Sequence, residues 1–100
     1  MDPERISDFI IADVVSSTAG RDKDELFYVI GEENEFLFLA NGKDRTLDRP
    51  KRKKRKHVRK VLRSETRVAQ KLRSGDKVLN SELRRDLAFL ARDASENLGG

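Results

Sequence analysis

Apolar residues come in short, closely spaced runs over the first sixty positions and at helical intervals after that. Residues 9–16, FIIADVVS, are rich in β-branched side chains, which suit a pleated, half-buried strand. Asp13 interrupts that run and marks an edge or a bend. A polar stretch at 17–25 with Gly20 as its turn residue leads to a second strand, LFYVIG at 26–31. The acidic connection EENE at 32–35 joins it to a third, FLFLA at 36–40, and Asn41-Gly42 then signals a tight turn. Strands two and three are apolar at successive positions, as in strands buried on both faces or closed into a small barrel. A fourth strand begins near 45–47 and runs into a basic stretch broken by Pro50, and HVRKV at 57–61 alternates as a short fifth.

The period changes at Ser64, a suitable N-cap followed by Glu65 at the positive end of the helix dipole. Val68, Ala69 and Leu72 fall on one face, and Gly75 stands where helices commonly end. Asn80 is the natural N-cap of a second helix reaching about Arg92, with Leu83, Leu87 and Leu90 on one side. The expected protein is mainly β: a small barrel followed by a short C-terminal helical pair. Residues 1–8 form a flexible N-terminus, 9–63 the barrel, 64–92 the helical appendage and 93–100 a frayed tail ending in two glycines. Packing of the helices against the barrel, which has surface to cover, is weighed against presentation of the leucine face to a partner.

Charge adds a feature that hydropathy does not show. Residues 49–63, RPKRKKRKHVRKVLR, hold ten Lys/Arg and no acid. The other 85 residues hold twelve basic and eighteen acidic side chains, so the net charge of +4 is one positive segment on an acidic body. Clustered cations release counterions from phosphates, and this release supplies most of non-specific nucleic-acid affinity. Runs of this kind also serve as solvated tails, localisation signals or membrane-surface patches. No apolar run approaches the ~20 residues that span a bilayer, and MDPERISDF lacks the basic-then-apolar layout of a secretory signal. The absence of cysteine excludes disulfides and thiolate zinc sites, and fits a cytoplasmic protein.

No catalytic constellation of nucleophile, base and oxyanion donors is visible, so no enzyme is expected, and neither a metal nor a cofactor. His57 is the only histidine; without cysteine or an orienting carboxylate it reads as packing or as an RNA contact. Phe27, Tyr28, Phe36 and Phe38 invite a base-stacking reading, yet this chain has few other large residues with which to build a core, and core packing is preferred, with Tyr28 the best exception.

Several short stretches, in this order and spacing, carry a resemblance: VVSSTAGRDK at 14–23, FYVI at 27–30, FLANGK at 38–43, RPKRKK at 49–54 and KHV at 56–58. Together they resemble a KOW-domain RNA-binding protein, in particular bacterial members similar to the fourteenth large-subunit protein of archaeal and eukaryotic ribosomes. KLRSG at 71–75 and ELR at 82–84 resemble the tails of those bacterial members. The resemblance implies an SH3-like β-barrel that binds RNA, ribosomal RNA first, with the signature loop at 19–23. Two positions differ from the pattern: Asp24 stands where it usually has glycine, and Arg55 where it is often apolar.

The leading expectation is therefore a cytoplasmic protein that binds RNA on or near the ribosomal large subunit. Phosphate neutralisation would fall to Arg49, Lys51, Arg52, Lys53, Lys54, Arg55, Lys56, Arg59, Lys60 and Arg63, with Arg21, Lys23 and His57 orienting the barrel. The alternative is an SH3-like adaptor that binds an acidic protein of the transcription or translation machinery. Duplex-DNA binding stands third, because no recognition helix is visible and Pro50 lies within the basic run.

Overall fold

The structure, a computed structural model, describes residues 9–99; the expected flexible segment 1–8 lies outside the described residues. Five strands are followed by two helices: β1 (Asp13–Ser17), β2 (Leu26–Glu33), β3 (Phe36–Ala40), β4 (Lys51–Lys54), β5 (Val58–Arg63), α1 (Arg67–Ser74) and α2 (Asn80–Gly99). All neighbouring strands are antiparallel, in the order β4-β3-β2-β1-β5, and a single 3₁₀ turn (Arg55–His57) joins β4 to β5. This arrangement is mainly β, consistent with the expected SH3-like barrel and C-terminal helical pair. Among the described residues, no helix is long and apolar enough to cross a membrane.

The strands are apolar on both faces because each face meets a different partner. One face of the sheet closes around Val15, Phe27, Val29, Leu37, Leu39 and Val58. The other packs Val14, Tyr28 and Ala40 against Val68 and Ala69 of α1 and Leu83, Leu87 and Leu90 of α2. The leucine face of α2 is thus inside the protein, where complete burial of one such side chain contributes about 2 kcal/mol. Ile30 of β2 and Val61 of β5 are skipped in the strand pairing. Such bulges bend and twist a sheet, which helps it to curl.

A buried polar cluster joins the two layers. The Tyr28 hydroxyl donates to Asp86 of α2 and shares a hydrogen bond of 2.9 Å with Ser64 Oγ, and Thr66 Oγ1 donates to the same Asp86 oxygen at 2.8 Å. Burial, reinforced by the Asp86 carboxylate, pushes the tyrosine up to about 12. Tyr28 is fully buried, not the half-exposed aromatic expected.

The helix caps are displaced from the expected residues for the same tertiary reason. Ser64 is engaged by Tyr28, and Thr66 caps α1 by accepting from Ala69 N at 3.2 Å. Asn80 Oδ1 accepts from Leu47 N at 2.8 Å, while Glu82 reaches back to Leu79 N at 3.1 Å in the manner of a capping box. Gly75 ends α1 in the left-handed conformation, as expected. α2 continues past Arg92 to Gly99, through the residues expected as a frayed tail, since 93–98 contain neither glycine nor proline. Of the two readings of Asp13 the bend holds and the edge does not: it opens β1, which lies between β2 and β5, directly after a bend at Ala12 with φ 72°.

Asn41-Gly42 does not close a two-residue hairpin. It opens a ten-residue connection (41–50) in which Asn41 Oδ1 accepts from the backbone of Lys43 and Arg45, so β4 starts later than expected. Gly42 has φ +78°, and a Cβ there would lie 2.2 Å from the Asn80 carbonyl oxygen and 2.9 Å from Arg84 N. The start of α2 therefore rests directly on this backbone, and Arg84 donates to the Gly42 carbonyl at 3.0 Å. Gly42→Ala is expected to destabilise the protein by about 3 kcal/mol or more through clash and backbone strain. Urea denaturation checks this, and a loss below about 1 kcal/mol would show that α2 is not seated on Gly42.

Candidate nucleic-acid interface

Register divides the basic run. Residues directly opposite one another in an antiparallel pair share a face. Lys51 and Lys53 lie opposite Leu39 and Leu37 and so point to the barrel interior, while Arg52 and Lys54 lie opposite Phe38 and Phe36 on the outer face. Lys53 is buried, and its ammonium donates to the Ala19 carbonyl at 2.6 Å and to Asp22 Oδ1 at 2.7 Å. Lys51 pairs with the other oxygen of Asp22 at 2.7 Å, and Ser17 Oγ donates to Oδ1 at 2.9 Å. Burial alone would raise the Asp22 carboxyl, but hydrogen bonds from Lys51, Lys53 and Ser17 outweigh it and hold the group well below the usual carboxylate range.

The loop at 19–24 is consequently folded around its own acid. Asp22 turns inward, and Arg21 and Lys23 on either side of it are exposed. Arg21 pairs with neither Asp22 nor Asp24, and neither basic residue makes an ion pair among the described residues. Asp24 adopts φ 72°, the left-handed conformation that glycine would have supplied, and its amide donates to the Ser17 carbonyl at 2.8 Å.

Three further members of the run are tied internally. Arg55 is in the 3₁₀ turn rather than in a strand, donating to Asn34 O at 2.7 Å and pairing with Glu32 at 3.0 Å. Arg63 and Lys60 pair with the fully buried Asp13 at 3.0 and 3.5 Å. His57 is half-buried, and its carbonyl accepts from Thr18 N at 2.9 Å, which docks the 3₁₀ turn against the loop. Arg49 stands apart, exposed on the connection leading into β4.

The cations left facing solvent without an ion pair among the described residues include Arg21 and Lys23 on the loop, Lys54 and Lys56 around the 3₁₀ turn, and Arg59 at the start of β5. The Thr18–His57 hydrogen bond and the Lys53–Ala19 hydrogen bond bring the loop and the turn together. The exposed Glu33 and Glu35 flank the nearby β2–β3 tip and bound the positive region on that side. Such a surface can neutralise phosphates, and nothing on it supplies a nucleophile with a base. No protein-family model matches the chain, and no curated protein matches it.

Two features escape sequence reasoning. Asp13 and Asp22 act as internal counter-charges for the basic run, and their partners are 29 to 50 residues away, as the pairs Asp22–Lys51 and Asp13–Arg63 show. Phe36 and Phe38 are only partly buried and belong to neither apolar core, unlike Phe27 and Tyr28. The strict Phe-Leu-Phe-Leu alternation at 36–39 is the signal for that difference.

Because Asp22 keeps its charge to lower pH in the folded than in the unfolded chain, its contribution is full above about pH 4 and is lost as pH falls below that value. Asp22→Asn is expected to cost about 3 kcal/mol at neutral pH, by leaving the buried lysine without a counter-charge. The variant should also lose less stability than the parent between about pH 5 and pH 2. Denaturant midpoints at both ends of that range check this; parallel losses would show that the clamp is not titrating.

Proposed function

We propose that this protein binds structured RNA, ribosomal RNA first among the candidates, and that it acts on or near the ribosomal large subunit in the cytoplasm. The sequence resemblance to KOW-domain proteins supports the ligand class. The observation that carries the reading is the division of labour among the cations. Lys51 and Lys53 are spent on ordering the 19–24 loop that carries Arg21 and Lys23, and the Thr18–His57 hydrogen bond ties that loop to the turn between Lys54 and Arg59. A rigid rim of mixed Arg and Lys suits the backbone of a folded RNA, which is recognised largely by shape and phosphate geometry. The adaptor alternative gains no support from the leucine face of α2, since Leu83, Leu87 and Leu90 are buried against the sheet.

Five or six solvent-facing cations on phosphates imply a loss of affinity of about 10³-fold between 50 and 250 mM salt. Titration of a large-subunit ribosomal RNA fragment at the two concentrations tests this, and a difference below about tenfold would remove phosphate neutralisation as the mechanism. Replacing Lys54 and Lys56 with Gln should flatten the log–log salt slope by about two while leaving thermal stability unchanged. Lys53→Met should do the reverse: it lowers stability, and any loss of binding follows the loss of fold.

A further inference from the structure

The outer face of the β2–β3–β4 region is not explained by the fold. Strand pairing sets Gly31, Phe38 and Arg52 in one row and Glu33, Phe36 and Lys54 in the next. The helices pack on Tyr28 and Ala40 of the same sheet, but Phe36 and Phe38 belong to neither apolar core. Full burial of a Phe contributes about 1.5–3 kcal/mol, and two phenyl rings on one face that are only partly buried forgo part of that.

Their surroundings are specific. The Arg52 guanidinium carbon lies 3.8 Å from the centroid of the Phe36 ring, a cation–π contact, and Arg52 is an exposed residue. Gly31 has no side chain, and a Cβ there would lie 3.4 Å from Cδ2 of Phe38. The Phe38 ring is therefore settled against the bare backbone of β2. Lys54 is exposed at the end of the second row, with no ion pair among the described residues. Glu33, at the opposite end of that row, disfavours phosphate there and so confines it to the Lys54 side.

From this arrangement we infer that the face takes unpaired RNA nucleotides: one base stacks on Phe38, a second on the Arg52 guanidinium backed by Phe36, and Lys54 takes the intervening phosphate. Flat, sequence-tolerant stacking on aromatic rings and Arg planes is how proteins hold single-stranded RNA, whereas paired bases offer no such face. The inference rests on the RNA reading above and adds the kind of nucleotide recognised. A protein partner would have to desolvate Arg52 and Lys54 together, so the charge of the face favours a polyanionic strand.

The test compares a short single-stranded RNA with a blunt-ended duplex of equal length, measured by fluorescence anisotropy with the full chain. Phe38→Leu keeps apolar volume but removes the ring, and Arg52→Lys keeps charge but removes the plane. Each is expected to weaken single-strand binding about tenfold and to leave duplex binding within about twofold. Equal losses on both RNAs, or no loss on the single strand, would overturn the stacking site while leaving the RNA reading intact. Absence of salt-sensitive binding by the parent protein to either RNA would overturn both. Should Phe38→Leu fail to fold, Arg52→Lys alone decides, because its side chain lies on the surface.

Discussion

The ammonium of Lys53, buried in the mouth of a small barrel, requires an anion, and Asp22 supplies it. Much else follows from that pairing. It draws the 19–24 loop inward over the barrel, fixes the Ser17 hydroxyl, and matches the register of β4 on β3, which turns two lysines inward and Arg52 and Lys54 outward. Two lysines share one carboxylate, so the site keeps a local positive excess at the rim even after pairing. A buried pair of this kind adds little net stability against an apolar substitute of equal shape, but loss of either partner is costly. What it provides is a defined loop conformation next to a surface of free cations.

A second polar junction does the same for the other half of the molecule. Tyr28 extends from β2 into the helical layer, where Ser64, Thr66 and Asp86 converge on its hydroxyl. The hydroxyls suited to capping helices locally are drawn into this contact or rearranged around it. The helices are thus held at a fixed position on the sheet by directed bonds as well as by leucine packing.

Much of the architecture is legible in the chain. The third strand, the left-handed end of the first helix and the leucine face of the second follow from period and turn chemistry, which are local properties. Local preference misplaces the caps because Ser64 and Asn80 are engaged by residues distant in sequence, a tertiary override. Charge counting presents the basic run as one surface because it is blind to which side of a strand a lysine occupies. Once β4 is paired with β3, the alternation of Lys51 and Lys53 with Arg52 and Lys54 separates structural cations from available ones. The same alternation separates the leucines of β3 from its phenylalanines, so one register decides both halves of the candidate site.

β2 contributes alternate side chains to two cores that share no residue: Phe27 and Val29 to the barrel interior, Tyr28 to the helical layer. In evolutionary terms the strand is written in two interleaved texts. Changes in the helical pair are judged by the side chains on the helical face and by the 41–50 connection on which α2 rests, and not by the residues of the barrel interior. A lineage could therefore restyle or exchange the appendage, and with it the protein's neighbours, without re-inventing the rim.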